Sequence, residues 1–196
     1  MDLIEFFQRA KNFIVSPAEE WQVIKDEQAS RSGVVRNYLL PFISLLAITT
    51  FLGLLLFRNY VTISIMILVT VVTSLGAFLS IYISATIINE LAPKFDSKKD
   101  FTSTFKLVTY SYTAVLIAHS FASLLLPLFF IVIFGLYSIY ILWMGLGPMM
   151  ETTGENRLIF GIICSLTILV IYVFLHTGLG ALSTNLFVSY GMNTLT

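Results

Sequence analysis

Long apolar runs separated by short charged stretches set the pattern of this chain. From Leu107 to Met150 there is no Asp, Glu, Lys or Arg; Lys106 and Glu151 bound the run. Its length is roughly twice the ~20 residues that one helix needs to cross a bilayer. Pro127, near its middle, removes a backbone donor and breaks a helix. The run therefore predicts a tight hairpin of two spans, over about 107–126 and 128–150. Three further runs predict spans over about 37–57, 61–91 and 158–182. Pro41 falls in the first turn of the first span, where proline is tolerated. Gly145-Leu146-Gly147-Pro148 is expected to break the fourth span near its end. Gly76, Ser80 and Ser84, and likewise Ala114, Ala118 and Ala122, recur every fourth residue and read as close-packing stripes between helices.

The flanks differ in character. Leu3, Ile4, Phe6, Phe7, Ala10, Phe13 and Ile14 paint one apolar face on a short helix, opposite Asp2, Glu5, Gln8, Arg9 and Lys11. Such a helix is too short and too charged to span, and is expected to lie in the headgroup plane. Ser16-Pro17-Ala18-Glu19 reads as a restart, with Ser16 capping, Pro17 in the first turn and Glu19 completing a capping box. The second short helix presents Trp21 and Ile24. Residues 1–36 thus form an amphipathic arm, residues 37–182 the membrane domain, and residues 183–196 a tail without charged side chains that is expected to fold back on the outer face. No apolar run of signal-peptide type precedes Tyr38. The predicted fold class is an all-α integral membrane protein of five transmembrane helices with N-terminal amphipathic interfacial helices.

Composition sharpens this reading. Residues are 57% hydrophobic and only 11% charged, with a mean hydropathy of +0.90. A soluble domain carries about 25% charged residues. The formal net charge is zero, so nothing attracts nucleic acid in bulk. The single cysteine, Cys164, excludes an internal disulfide. Lys and Arg are unevenly placed. Five lie in the arm, four in residues 92–106 and one, Arg157, before the fifth span; only Arg58 falls on the other side. This split puts the N-terminus in the cytoplasm and the C-terminus outside, and the expected location is a bacterial inner membrane.

Ionisable groups inside a membrane are costly and mark candidate sites. Glu90, near the inner end of the second span, is expected to pair with Lys94, Lys106 or Arg36. His119 stands twelve residues into the third predicted span and His176 eighteen into the fifth. At the helical rise these are depths of about 18 and about 27 Å, which argues against a shared ligand. Cys164 lies near 9 Å, at roughly a third level. No metal site or other cofactor is expected. Tyr110 joins the candidate polar residues, and Phe6, Phe7, Trp21, Lys98 and Lys99 are the candidate partner surface. Phosphate-binding loops, dinucleotide fingerprints, zinc-protease pairs and serine elbows are all missing from the sequence, so an enzyme is not expected.

Several diffuse motifs combine. Lys11-Asn12-Phe13-Ile14-Val15-Ser16-Pro17, followed by Glu20-Trp21, resembles the segment ahead of the first span in the Yip family, membrane proteins named for interaction with Ypt/Rab GTPases. Phe105-Lys106-Leu107-Val108-Thr109-Tyr110-Ser111 resembles that family's lead into the third span, and Leu126-Pro127, Tyr137 and Gly145 its central hairpin. The chain differs in having Thr113-Ala114 where many members place a proline, and in lacking both the Asp-Leu-Tyr-Gly-Pro motif and the long cytoplasmic arm of eukaryotic members. The resemblance implies a five-span fold and a role in membrane organisation or trafficking through protein partners. The expected environment is the lipid bilayer, with a membrane or cytoplasmic protein, or a second copy of the chain, as partner. The competing expectation is a small transporter, channel or lipid-handling protein using Glu90 and His119.

Overall fold

The computed structural model describes residues 3–27, 29–57, 62–125, 131 and 133–193. Helices α1 (Leu3–Val15) and α2 (Pro17–Asp26) come first. Next, α3 (Arg31–Val34) passes through a π-helical turn, Val35–Leu39, into α4 (Leu40–Phe57). Helix α5 (Ile63–Leu91) ends in a 3-10 turn, Ala92–Phe95. It is followed by α6 (Phe101–Ser111), α7 (Thr113–Leu124), α8 (Tyr137–Met150) and α9 (Gly154–Asn193). No strand occurs among the described residues. Among the described residues, five helical stretches are long and apolar enough to cross a bilayer: Arg31–Phe57, Ile63–Phe95, Phe101–Leu124, Ile133–Met150 and Asn156–Ala181.

Sequence and structure diverge where local chemistry decides the helix. The first long stretch begins at Arg31, so Pro41 sits well inside it. A proline ring collides with the carbonyl four residues back. Here the helix widens into the π turn over Val35–Leu39, immediately ahead of the ring, and continues. Ser30 starts this stretch by accepting a hydrogen bond from the Gly33 N–H at 3.2 Å. By contrast, Ser16 makes no side-chain cap on α2. Pro148 is carried inside α8, which runs on to Met150 rather than breaking at Gly145. The tail does not turn back, because helix α9 continues through Asn193. The expected break at Pro127 falls outside the described residues.

Asp100 starts α6 and is the best-formed cap. Its carboxylate accepts from the N–H groups of Thr102 and Ser103, each at 3.1 Å, and from Ser103 Oγ at 2.7 Å. Partial burial works against the charge, but these hydrogen bonds outweigh it and hold the carboxyl below the usual aspartate range. Because the folded value is lowered, this contribution is present at neutral pH and is lost as pH falls from the ordinary aspartate range through the folded value. Asp100→Ala is expected to cost about 0.5–2 kcal/mol. Asp100→Asn is expected to keep most of the cap and remove the acid dependence. Thermal unfolding in detergent between neutral and acidic pH checks both.

Helix α5 is central and packs against α4, α6 and most extensively α9; α4 also packs on α7, and α6 on α8. The small-residue stripes occupy these contacts: Gly76, Ser80, Ser84, Ala114, Ala118 and Ala122 are buried. A Cβ on Gly76 would stand 3.0 Å from Leu179 Cδ1. With no hydrophobic drive between helices in lipid, such close approach is what holds spans together. Outside, Ile48, Leu52, Ile67, Leu75, Leu166, Val170 and Phe174 stand exposed. An apolar surface on this scale belongs against lipid rather than water.

Helices α1 and α2 do not lie flat across the end of the bundle. They form a hairpin standing along α8. Tyr137 OH donates to the Ile14 carbonyl at 3.1 Å, Trp21 Nε1 donates to the Ile141 carbonyl at 2.8 Å, and the Trp21 ring faces Gly145. About 20 Å of helix separates Tyr137 from Met150, so the turn of the hairpin reaches far up the bundle. The reason is aromatic. Phe13 stacks on Tyr110 with ring centroids 5.0 Å apart, and Phe6 meets Phe42 edge-on at 4.7 Å. A flat arm would leave those faces unpacked.

Candidate functional site

Between the arm, α3 and the start of α4 opens a polar cleft of about 720 Å³. Glu5, Arg9, Asn12, Glu20, Glu27, Tyr38 and Tyr110 are among its lining. Arg9 organises it. The guanidinium Nη1 donates to Glu27 Oε2 at 2.7 Å, Nε lies 3.4 Å from Glu20 Oε1, and Asn12 Nδ2 donates to the other Glu20 oxygen at 2.8 Å. Glu20 is only 6% exposed. A carboxylate so buried stands only with a charged partner and further hydrogen bonds. Arg9 also lies over the Tyr110 ring, 6.0 Å from its centroid. Burial disfavours its charge, yet Tyr110 and Glu27 more than compensate and raise its already high pKa.

The floor of the cleft belongs to the helices below it. Thr113 Oγ1 donates to the Tyr110 carbonyl at 2.5 Å, which leaves Tyr38 OH to donate to Thr113 at 2.7 Å. Behind Glu27, the buried Lys106 Nζ donates to its backbone carbonyl at 2.7 Å. The cleft thus presents both signs of charge, with more carboxylates than cations, on an aromatic floor. This suits a polar or cationic group approaching from the arm side.

Of the candidate residues named from sequence, Tyr110 lies in this cleft. Phe6 and Trp21 are buried and hold the arm in place, whereas Phe7 is 60% exposed. Glu90 pairs with none of the three expected cations; Lys99 Nζ meets it at 2.6 Å on an exposed surface. Exposed pairs are worth about 0–1 kcal/mol. Lys98 Nζ meets Glu151 at 2.9 Å, and this hydrogen bond raises the lysine pKa and lowers that of the glutamate. With Ser97 Oγ on Thr152 Oγ1 at 2.8 Å and Asn156 Nδ2 donating to Asp96 at 2.8 Å, the pair ties residues 96–98 to the link before α9 and to the first turn of α9.

The histidines are not at separate depths. The His119 and His176 ring centroids are 4.9 Å apart. Tyr172 OH lies 3.1 Å from His119 Nδ1, and the Tyr172 ring stacks on His176 at 5.6 Å. The position of the helix ends explains part of the difference. Helix begins at Phe101 and Gly154. Counted from there, His119 lies roughly 27 Å in and His176 roughly 33 Å, about 6 Å apart along the helix axes rather than about 9; side-chain reach closes the remainder. Sequence reasoning also passed over Arg9, Glu20, Glu27 and Tyr38. No spacing joins them; only the turn at Ser16-Pro17 brings α1 and α2 face to face.

Five membrane-crossing helices with an exposed apolar belt define an integral, multi-pass helical membrane protein. The Yip1 domain matches residues 11–175, most of the chain, and the protein belongs to the Yip1 domain family. The match takes in α2 and runs to the middle of α9. No curated protein and no solved structure shows significant similarity to the chain.

Proposed function

We propose that this protein is a non-enzymatic adaptor or organiser in membrane trafficking or envelope homeostasis, and that it receives a protein partner at the arm cleft. The observation that carries this reading is the cleft itself: open, polar, and framed by an arm braced against the membrane domain. The Lys and Arg split supports an arm on the cytoplasmic side and a C-terminus outside, and our reading takes the membrane to be a bacterial inner membrane. Exposed Phe7, and Lys98 and Lys99 with their partners Glu151 and Glu90, are further contact residues in this reading.

The test is photo-crosslinking in native membranes from a probe replacing Gln8, which lines the cleft. A recurrent protein partner is expected, lost on deletion of residues 1–30 and weakened by Glu20→Gln. If no partner is captured from the cleft, the adaptor reading fails. A second reading, lipid handling or transport, draws on the Arg9–Glu20–Glu27 network beside Tyr110 in the third span. Buried charge at such a level commonly marks a substrate path. It predicts lipid movement or flux in liposomes that Glu20→Gln abolishes.

A further inference from the structure

We infer that the turn between α1 and α2 is re-entrant: its tip enters the hydrocarbon of the leaflet on the arm's side, and lipid chains are the partner that covers it. The arm meets α8 at Gly145, Ile141 and Tyr137. These lie roughly 8, 14 and 20 Å of helix before Met150. On α9 the exposed apolar belt begins at Leu158 and Ile159, and Gly161 sits against Trp143 and Leu146. The stretch of α8 that carries the arm is therefore level with lipid-facing residues of α9. Phe134, Leu136 and Tyr140 stand exposed around Tyr137 and continue the same belt.

The tip suits that level. Residues 12–18 carry no charged side chain, and Val15, at the apex, is 68% exposed. An apolar groove of about 440 Å³ runs from Ile14 along Ala114, Ile117, Ala118 and Tyr137, with room for a lipid chain. A turn set in lipid must satisfy its backbone within the protein. Here the Ser16 N–H donates to the Asn12 carbonyl at 2.8 Å and the Glu20 N–H to the Ser16 carbonyl at 3.1 Å. Pro17 brings no N–H, and the Ile14 carbonyl takes the Tyr137 hydroxyl from another span. In water that carbonyl would need no such donor. Lys11 and Glu19, the first charges on either side, are exposed roughly 5–6 Å back from the turn. At that level, snorkelling and local thinning of the leaflet bring charge to the headgroups. A hairpin that enters one leaflet without crossing adds cross-section to that leaflet alone, which makes its insertion sensitive to curvature. The inference goes beyond the adaptor reading and does not rest on it.

The experiment uses the full chain carrying Cys164→Ala, reconstituted in phosphatidylethanolamine–phosphatidylglycerol liposomes. One spin label is placed at Val15→Cys, Val170→Cys or Lys94→Cys. Val170 is exposed on the apolar face of α9, and Lys94 is exposed in the turn after α5. Relaxation of each label is read with oxygen, which concentrates in lipid, and with a water-soluble nickel chelate. The Val15 label is expected to respond to oxygen and be shielded from nickel, as at Val170 and opposite to Lys94. A diazirine side chain replacing Val15 is expected to couple to lipid acyl chains on illumination. Variants are compared only where size-exclusion profile and helical content match the parent. The inference is overturned if nickel reaches the Val15 label as it reaches the Lys94 label. It is equally overturned if the label is shielded from both reagents, as under a protein partner or a second copy, or if the diazirine couples to protein or water and not to lipid.

Discussion

Trp21→Ala is expected to release the arm while the spans stay folded. The Trp21 side chain is fully buried, the largest such group in the protein. Its ring contacts Phe13 at 4.9 Å and Tyr110 at 6.2 Å, and its N–H reaches the Ile141 carbonyl. Truncating a buried tryptophan to alanine costs about 3–5 kcal/mol. That loss falls on a two-helix hairpin joined to the bundle by its own contacts, so local release costs less than global unfolding. Hydrogen exchange in detergent checks this. Residues 3–26 are expected to lose protection while α5 and α9 keep theirs. Trp21→Phe retains ring packing and loses the hydrogen bond, worth about 1 kcal/mol, and should leave the arm seated.

Gly145 provides a reciprocal test of the same contact. A Cβ there would stand 2.5 Å from Trp21 Cε2 and 2.6 Å from Leu107 Cδ1. Gly145→Ala therefore pushes on the ring from the α8 side and should loosen the arm with every arm residue unchanged. If Trp21→Ala leaves the arm protected, the hairpin is held by other contacts, and the place assigned to Trp21 is wrong.

What the sequence made legible was the fold class and the number of crossings. Both rest on apolar runs long enough to need lipid, and no tertiary detail changes that requirement. The packing stripes were legible for a similar reason, since small residues four apart share one helix face. What could not be read was anything set by juxtaposition. Arg9 and Glu20 are ordinary charged residues on two amphipathic helices, and only the standing hairpin turns them into a buried network. Its upright position was hidden because an apolar face suits either a headgroup plane or a groove between helices. The deciding partners, Phe42, Tyr110 and Gly145, lie far along the chain. The histidine pair was missed for two reasons. Hydropathy does not mark where a helix begins, and depth along the axis leaves out side-chain reach, which closes the roughly 6 Å that remains when depth is counted from Phe101 and Gly154.

Gly53→Ala is expected to destabilise the protein even though it improves local helix propensity. Helix α4 passes α7 so closely at this point that a Cβ on Gly53 would collide with the Ser123 carbonyl oxygen. It would also stand 2.8 Å from the carbonyl carbon and 3.3 Å from Leu124 Cα. All three atoms are backbone, so no rotamer change relieves the clash and one helix must move. Overpacking of this kind costs about 1–3 kcal/mol, and occasionally more. Gly178, on α9, has nothing within 4 Å of where its Cβ would be. There alanine should stabilise by about 0.5–1 kcal/mol, the ordinary helical penalty of glycine. The two substitutions are chemically identical and should have opposite signs. Cys164, the single cysteine and a buried one, reports both, because a thiol-reactive dye labels it only on unfolding. For a chain of this size each kcal/mol moves the midpoint by about 2–4 °C. A midpoint lowered by Gly53→Ala and raised by Gly178→Ala would show that close approach, rather than propensity, holds α4 against α7. If Gly53→Ala is neutral or stabilising, that contact is not as tight as described.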